Sequence, residues 1–165
     1  MVFEGEPGPD AARNKGLEAA RGDYFAFTDS DCIPYPDWLM TGIQNLLDRS
    51  EVGLVGGRVD VFPRDPNRLS IIELYESVFA FPTKLNITEH HFMPTCNMFT
   101  TRRIFDRVGI FDADLKTPGD EEWGQRVHIN GYKLIYDENL AIKHPARDSF
   151  KALHKKIKRI TFRFV

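Results

Sequence analysis

Two aspartates one residue apart, Asp29 and Asp31, follow the apolar run from Tyr24 to Thr28 in "YFAFTDSDCIPYPDW". Like charges this close repel unless a cation lies between them. At the end of an extended strand, residues i and i+2 point to one side, so both carboxylates address one ligand beyond the sheet. Two hard oxygen donors suit Mg²⁺ or Mn²⁺, which keep several waters and are completed by substrate phosphates. The same acids would also serve as solvated turn formers or as caps for the next helix, a role open to Asp37 as well. A second acidic cluster, Asp120, Glu121 and Glu122, opens "DEEWGQRVHIN". It either complements the dipole of the helix it begins, at about 0.3–1 kcal/mol per acid, or supplies a general base.

The blocks "ARNKGLEAARGDYFAFTDSDCIPYPDWL", "CNMFTTRRIFDRVGIFDADL", "GDEEWGQRVHINGYKLIYD" and "KHPARDS" follow one another as they do in family 2 nucleotide-sugar glycosyltransferases. The chain resembles that family from Pro9 to Ser149. The resemblance implies a GT-A type fold and a divalent ion, Mn or Mg, held at Asp29 and Asp31 against the diphosphate of a nucleotide-sugar donor. It implies inverting transfer of the sugar to the hydroxyl of a carbohydrate or lipid-linked acceptor. Departure of a nucleoside diphosphate develops negative charge, which a metal ion stabilises. By the same resemblance Asp120 is the base, with Arg126 six residues on and Glu122 also on the pattern. Gly119 departs from it, since the family commonly has a second acid there.

His144, in "AIKHPARDS", matches a late histidine that completes the metal shell in some relatives; a lone histidine after a strand also serves as a packing or capping residue. Arg13 and Asn14 stand where the family packs a helix beside the nucleotide, and Arg13 would otherwise pair with Asp10. Asn97 matches a position on the acceptor side. Trp123 would either stack on a sugar face or sit in the core. The pair His90-His91 matches nothing in the pattern and is left out of the metal site.

The elements that must position these groups alternate strand and helix, so the class is α/β: a Rossmann-like mixed, mainly parallel sheet flanked by helices. Helix is expected from Asp10 to Arg21, stopped by Gly22, and then a strand from Tyr24 buried on both faces. "YPDWLMTGIQNLLD" follows as helix and "VGLVGGRVDVF" as strand, its paired glycines marking a bulge or a close backbone approach. "LSIIELYESVFAF" has the spacing of an amphipathic helix, and "PTKLNITEHHFMPTCNMFTT" reads as a long loop entering a short strand. After a short helix at "RRIFDRVGIFD" comes the helix of the second acidic cluster, closed by Gly131, then "KLIYD" and another short strand ending at His144.

The chain opens on a Gly- and Pro-rich tail and a helix, as though a first βαβ unit were missing. The expected division is a partial catalytic core over 1–149 and a basic amphipathic helix over 150–165. In that helix Phe150, Leu153, Ile157, Ile160 and Phe164 form an apolar stripe, with Lys151, Lys155, Lys156, Lys158, Arg159 and Arg163 on other faces. The helix either packs on the domain or lies on an anionic membrane surface.

A net charge of -2 over 165 residues gives no overall attraction to nucleic acid. Two cysteines, Cys32 and Cys96, are too few for a disulfide scaffold and fit a reducing compartment, hence a cytoplasmic location or the cytoplasmic membrane face. The Asn86-Ile87-Thr88 sequon then reads as a chance tripeptide. The rival to an enzyme is a noncatalytic interaction module keeping the fold alone, with an open sheet edge through which it would self-associate.

Overall fold

The computed structural model describes residues 5, 8–115 and 119–161, with side chains as far as Lys158. Arg159, Ile160, Arg163 and Phe164 of the basic stripe lie outside the described side chains. Among the described residues five strands form one sheet in the order β1-β4-β3-β5-β2. They are β1 (Tyr24–Phe27), β2 (Ile33–Pro34), β3 (Val52–Phe62), β4 (Met98–Thr101) and β5 (Lys133–Pro145). The helices are α1 (Pro9–Ala19), α2 (Trp38–Gln44), α3 (Ile71–Phe79), α4 (Thr83–Thr88), α5 (Arg102–Val108), α6 (Gly119–Ile129) and α7 (Phe150–Thr161).

The sheet is mixed, as expected: the long β3–β5 ladder is parallel, while the shorter strand pairs are antiparallel. β3 and β5 are parallel neighbours, whereas β4 lies antiparallel between β1 and β3 and β2 runs antiparallel along β5. β1, β3 and β5 therefore share a direction, and the short β4 separates two of them. Successive residues of a strand face opposite sides. Leu54 and Met98 thus join one core with Leu17, Ile104 and Trp123 of α1, α5 and α6, while Val55 and Phe99 join another with Trp38 of α2.

Three local expectations change. β1 alternates instead, because only one of its faces is covered: Phe25 is buried, while Tyr24 and Ala26 are exposed. The segment expected as a long loop contains α4, and Asn86 of the sequon is 8% exposed within it, in keeping with a chance tripeptide. The last two strands are a single β5 whose register against β3 jumps, Gly57 facing Asp137 and Arg58 facing Ala141. A Cβ at Gly57 would run into the carbonyl oxygens of Asp137 and Leu140, which is the close approach the paired glycines signalled.

α3 is amphipathic as read, but its faces are reversed. Ser70 and Glu73 form a capping box, and Glu73 also accepts from the Arg64 amide at 2.9 Å. Glu73 and Glu76 are buried, while Ile71, Leu74, Tyr75, Val78 and Phe79 face outward. Glu76 accepts from Arg147 at 2.8 Å and from Lys156 of α7 at 3.0 Å. α7 buries Leu153 and leaves Phe150 and Ile157 exposed, so only part of its stripe packs on the domain.

Candidate active site

Asp29 and Asp31 meet in a turn rather than along an extended strand: the Cys32 amide donates to the Asp29 carbonyl at 3.1 Å, closing a four-residue reversal. The chain then enters β2, whose register pairs Ile33 with Lys143 and Pro34 with Ile142. One step back along the same register sets Cys32 opposite His144. Ligand atoms of Asp29, Asp31, Cys32 and His144 consequently lie within 4.8 Å of one another. His144 Nδ1 lies 2.8 Å from the Pro145 carbonyl, and that oxygen only accepts, so Nδ1 carries the proton and Nε2 keeps its lone pair. The Phe81 ring packs on the imidazole with centroids 4.7 Å apart.

Two carboxylates, one imidazole and one thiol fit a divalent ion, with the oxygens suited to Mn²⁺ or Mg²⁺. The hydrogen bond to Pro145 presents His144 as a ligand. Cys32 was not singled out from the sequence; its signal lay in the β2–β5 register, which residue spacing does not reveal. Interaction with the Cys96 thiol lowers the Cys32 thiol pKa. Cys96 is pushed upward by that same interaction and then by burial, so it keeps its proton.

Asp120 stands in the first turn of α6, where its Oδ1 accepts from the Glu121 amide at 3.1 Å and its Oδ2 from the Thr95 amide at 3.3 Å. Burial raises its pKa and the nearby Asp10 carboxylate adds to the rise, against Arg13 and the two amides. Thr95, Cys96 and Asn97 form one tight turn. The Thr95 amide holds Asp120, and the neighbouring Cys96 feels the charges of both Asp29 and Asp120, so this turn lies between the candidate base and the candidate metal-ligand cluster.

Gly119 has a reason in this fold. A Cβ there would strike the carboxylate of Asp10, which is 4% exposed and bonded to Arg13 at 2.6 Å. An acid from α1 therefore occupies the ground beside Asp120 that a side chain at 119 would otherwise take. Arg13 makes the anticipated pair with Asp10, and its guanidinium also lies 5.8 Å from the Phe111 ring centre. Asn14 donates to the Phe111 carbonyl at 2.8 Å and accepts from its amide at 3.1 Å, which occupies both ends of its amide.

Four residues read as site groups are placed elsewhere. Trp123 is fully buried, stacks on Phe105 with centroids 4.6 Å apart and donates to the Gly109 carbonyl at 2.8 Å, so it offers no face to a sugar. Asn97 is fully buried too: it accepts from Trp38 at 2.7 Å and donates to the Arg58 and Leu140 carbonyls at 3.0 Å, stitching β3 to β5 rather than meeting an acceptor. Glu122 and Arg126 form a two-pronged pair at 2.7 Å, and Arg126 also donates to the Val108 and Ile110 carbonyls. At 3.6 residues per turn they point about 200° and 240° away from Asp120, so α6 carries a candidate base on one side and a loop clamp on the other. His91, left out of the metal site, stacks on His128 at 3.7 Å between ring centres.

The model of the family Glycosyl transferase family 2 matches residues 2–109. The chain is 32% identical over 158 residues to glycosyltransferase AglE of Haloferax volcanii, covering 96% of this chain and 51% of that protein. It is 27% identical over 148 residues to the pre-mycofactocin glycosyltransferase of Mycobacterium tuberculosis, covering 87% and 31%. The chain thus spans about half, or less, of the relatives it matches. In structure it resembles the mannosyltransferase PcManGT from Pyrobaculum calidifontis, solved with GDP-Man and Mn²⁺, with a TM-score of 0.66 at 21% identity over 94% of this chain and 41% of that one. It also resembles glucosyl-3-phosphoglycerate synthase from Mycobacterium tuberculosis, solved with Mn²⁺, UDP-glucose and glycerol 3-phosphate, with a TM-score of 0.51 at 18% identity over 93% and 51%. The fold is the GT-A glycosyltransferase fold, and the chain belongs to glycosyltransferase family 2.

Proposed function

We propose that this chain carries the metal- and donor-binding machinery of an inverting glycosyltransferase, moving a sugar from a nucleotide diphosphate to a hydroxyl of a carbohydrate or lipid-linked acceptor. The observation that carries the reading is the gathering of Asp29, Asp31, Cys32 and His144 ligand atoms within 4.8 Å of one another, beside the Thr95–Asn97 turn whose first amide holds Asp120. Asp29, Asp31 and His144 would hold Mn²⁺ or Mg²⁺, with Cys32 as a fourth donor. The ion would supply positive charge to the departing diphosphate. Asp120 takes the acceptor's hydroxyl proton as the acceptor oxygen bonds to the anomeric carbon. The bond from that carbon to the diphosphate oxygen breaks, its electron pair leaving with the diphosphate. Arg13, on the helix beside Asp120, would face the donor's phosphate or ribose with whatever donors its bond to Asp10 leaves; Asn14 would act indirectly, by fixing Phe111. The two free thiols support a reducing, cytoplasmic setting. No helix among the described residues is long and apolar enough to cross a membrane.

Calorimetric titration with uridine and guanosine diphosphate sugars, with and without Mn²⁺, tests the reading and identifies the nucleotide. Donor binding should require the ion, and Asp31→Ala should abolish the Mn²⁺-dependent binding while the thermal melt stays cooperative. Metal-independent or absent donor binding by the wild-type chain would favour the noncatalytic module.

A further inference from the structure

We propose that the outward stripe of α3 and the neighbouring exposed edge of α7 dock this domain on an anionic lipid bilayer. Ile71, Leu74, Tyr75, Val78 and Phe79 recur at the i, i+3, i+4, i+7 and i+8 spacing of one helix face. In a soluble helix such a stripe faces the core. Here it is 84%, 55%, 47%, 64% and 62% exposed, while the acids of the same helix, Glu73 and Glu76, are turned inward. Leu69, just ahead of the helix, is 50% exposed. The Tyr75 and Phe79 rings pack on each other with centroids 5.0 Å apart. A contiguous apolar patch of this kind marks an interaction surface.

The charges say what covers it. Glu76 joins α3 to α7 through Lys156, and from Phe150 to Thr161 the chain contains no acid at all. Lys151, His154, Lys155 and Lys158 are exposed on α7, beside Phe150 at 73% and Ile157 at 49% exposure. An apolar, aromatic-bearing helix face joined to an acid-free basic helix matches the boundary between acyl chains and anionic headgroups. A second copy of the chain fits less well, because a two-fold contact through this face would set lysines against lysines. The inference is independent of sugar transfer, since none of these residues belongs to the candidate active site.

Co-sedimentation of the 165-residue chain with vesicles of phosphatidylcholine alone, and of phosphatidylcholine mixed with phosphatidylglycerol, tests it. Binding should occur on the anionic vesicles and weaken steeply with added salt, as expected when screening acts over about 8 Å at physiological ionic strength. Leu74→Glu with Val78→Glu changes only exposed positions, so the melting temperature should hold while vesicle binding is lost. Lys151→Gln and Lys155→Gln should each lower the partition coefficient by about fivefold. Equal retention on both vesicle types, no retention on either, or anionic binding untouched by the α3 double variant would overturn the proposal. Self-association in lipid-free buffer that the α3 variant abolishes would instead give this face to a second copy.

Discussion

Asp120 sits where two requirements conflict. Its carboxylate must lose a proton to act as a base, yet burial and the Asp10 carboxylate favour the protonated form. The acidic limb of the pH–rate profile should therefore lie above the ordinary carboxylate range, and Asp10→Asn should move it downward. That substitution removes a like charge and frees Arg13, and both changes favour ionised Asp120. Asp120→Asn should lower transfer by about 10² to 10⁴ with donor affinity nearly unchanged, measured as kcat/KM beside calorimetric binding; near-normal transfer would exclude it as the base. At this scale the sequence is legible where a motif fixes both type and place: Asp29, Asp31 and His144 come together as the resemblance implied. It is opaque where one residue type serves two purposes. Asn97, Trp123, Glu122 and Arg126 look like site groups by identity, yet their partners are main-chain carbonyls and rings far along the chain, which spacing does not disclose. Asp10, read only as the start of a helix and a partner for Arg13, and Cys32, passed over as a site residue, gained their places from the contact of α1 with α6 and from the β2–β5 register.

At the scale of elements, helix α3 shows what periodicity conveys and what it omits. The stripe fixes the helix and its faces, but the side that turns inward depends on Arg147 and Lys156, which lie 71 and 80 residues from Glu76. Burial alone would raise the Glu76 pKa, but the hydrogen bonds and charges of Lys156 and Arg147 outweigh it and hold the group below its ordinary value of 4.5. A carboxylate with a lowered folded pKa contributes stability that is present above the unfolded value and is lost as pH falls through the folded one. Glu76→Gln should accordingly cost about 1–3 kcal/mol near neutral pH, since Arg147 and Lys156 are partly exposed and recover some hydration. The difference between wild type and variant should shrink as pH drops below about 4.5, which denaturant melts across that range would measure. A constant difference would mean that the pair is electrostatically idle and that Glu76 acts by packing alone. The expectation that β1 is buried on both faces failed for a related reason: a run such as Tyr24 to Phe27 announces a strand without saying whether one face or both will be covered.

For the molecule as a whole, the sheet ends on two unlike edges. β2 is two residues long and contains Pro34, which lacks an amide hydrogen, so that edge is blunted. β1 is four residues long, free of proline and charge, and among the described residues pairs only with β4. Its outer backbone groups are the natural place for another strand, from a longer chain or from a second copy, and self-association of the 165-residue chain tests the second case. Because β1 runs directly into the turn of Asp29 and Asp31, an occupant of the edge would border the proposed metal-ligand cluster. Self-association and metal binding should then be linked, each changing the other's affinity by the same factor. Sedimentation velocity should show a mass that rises with protein concentration and shifts when Mn²⁺ is added. Ala26→Lys, which puts a charge on the exposed face of β1, should hold the chain monomeric and remove the concentration dependence of Mn²⁺ affinity while leaving the melting temperature near that of wild type. A wild-type chain monomeric at every concentration would show that the β1 edge does not recruit a second copy. Self-association that survives Ala26→Lys but disappears in the α3 double variant would place the contact on the apolar helix face instead.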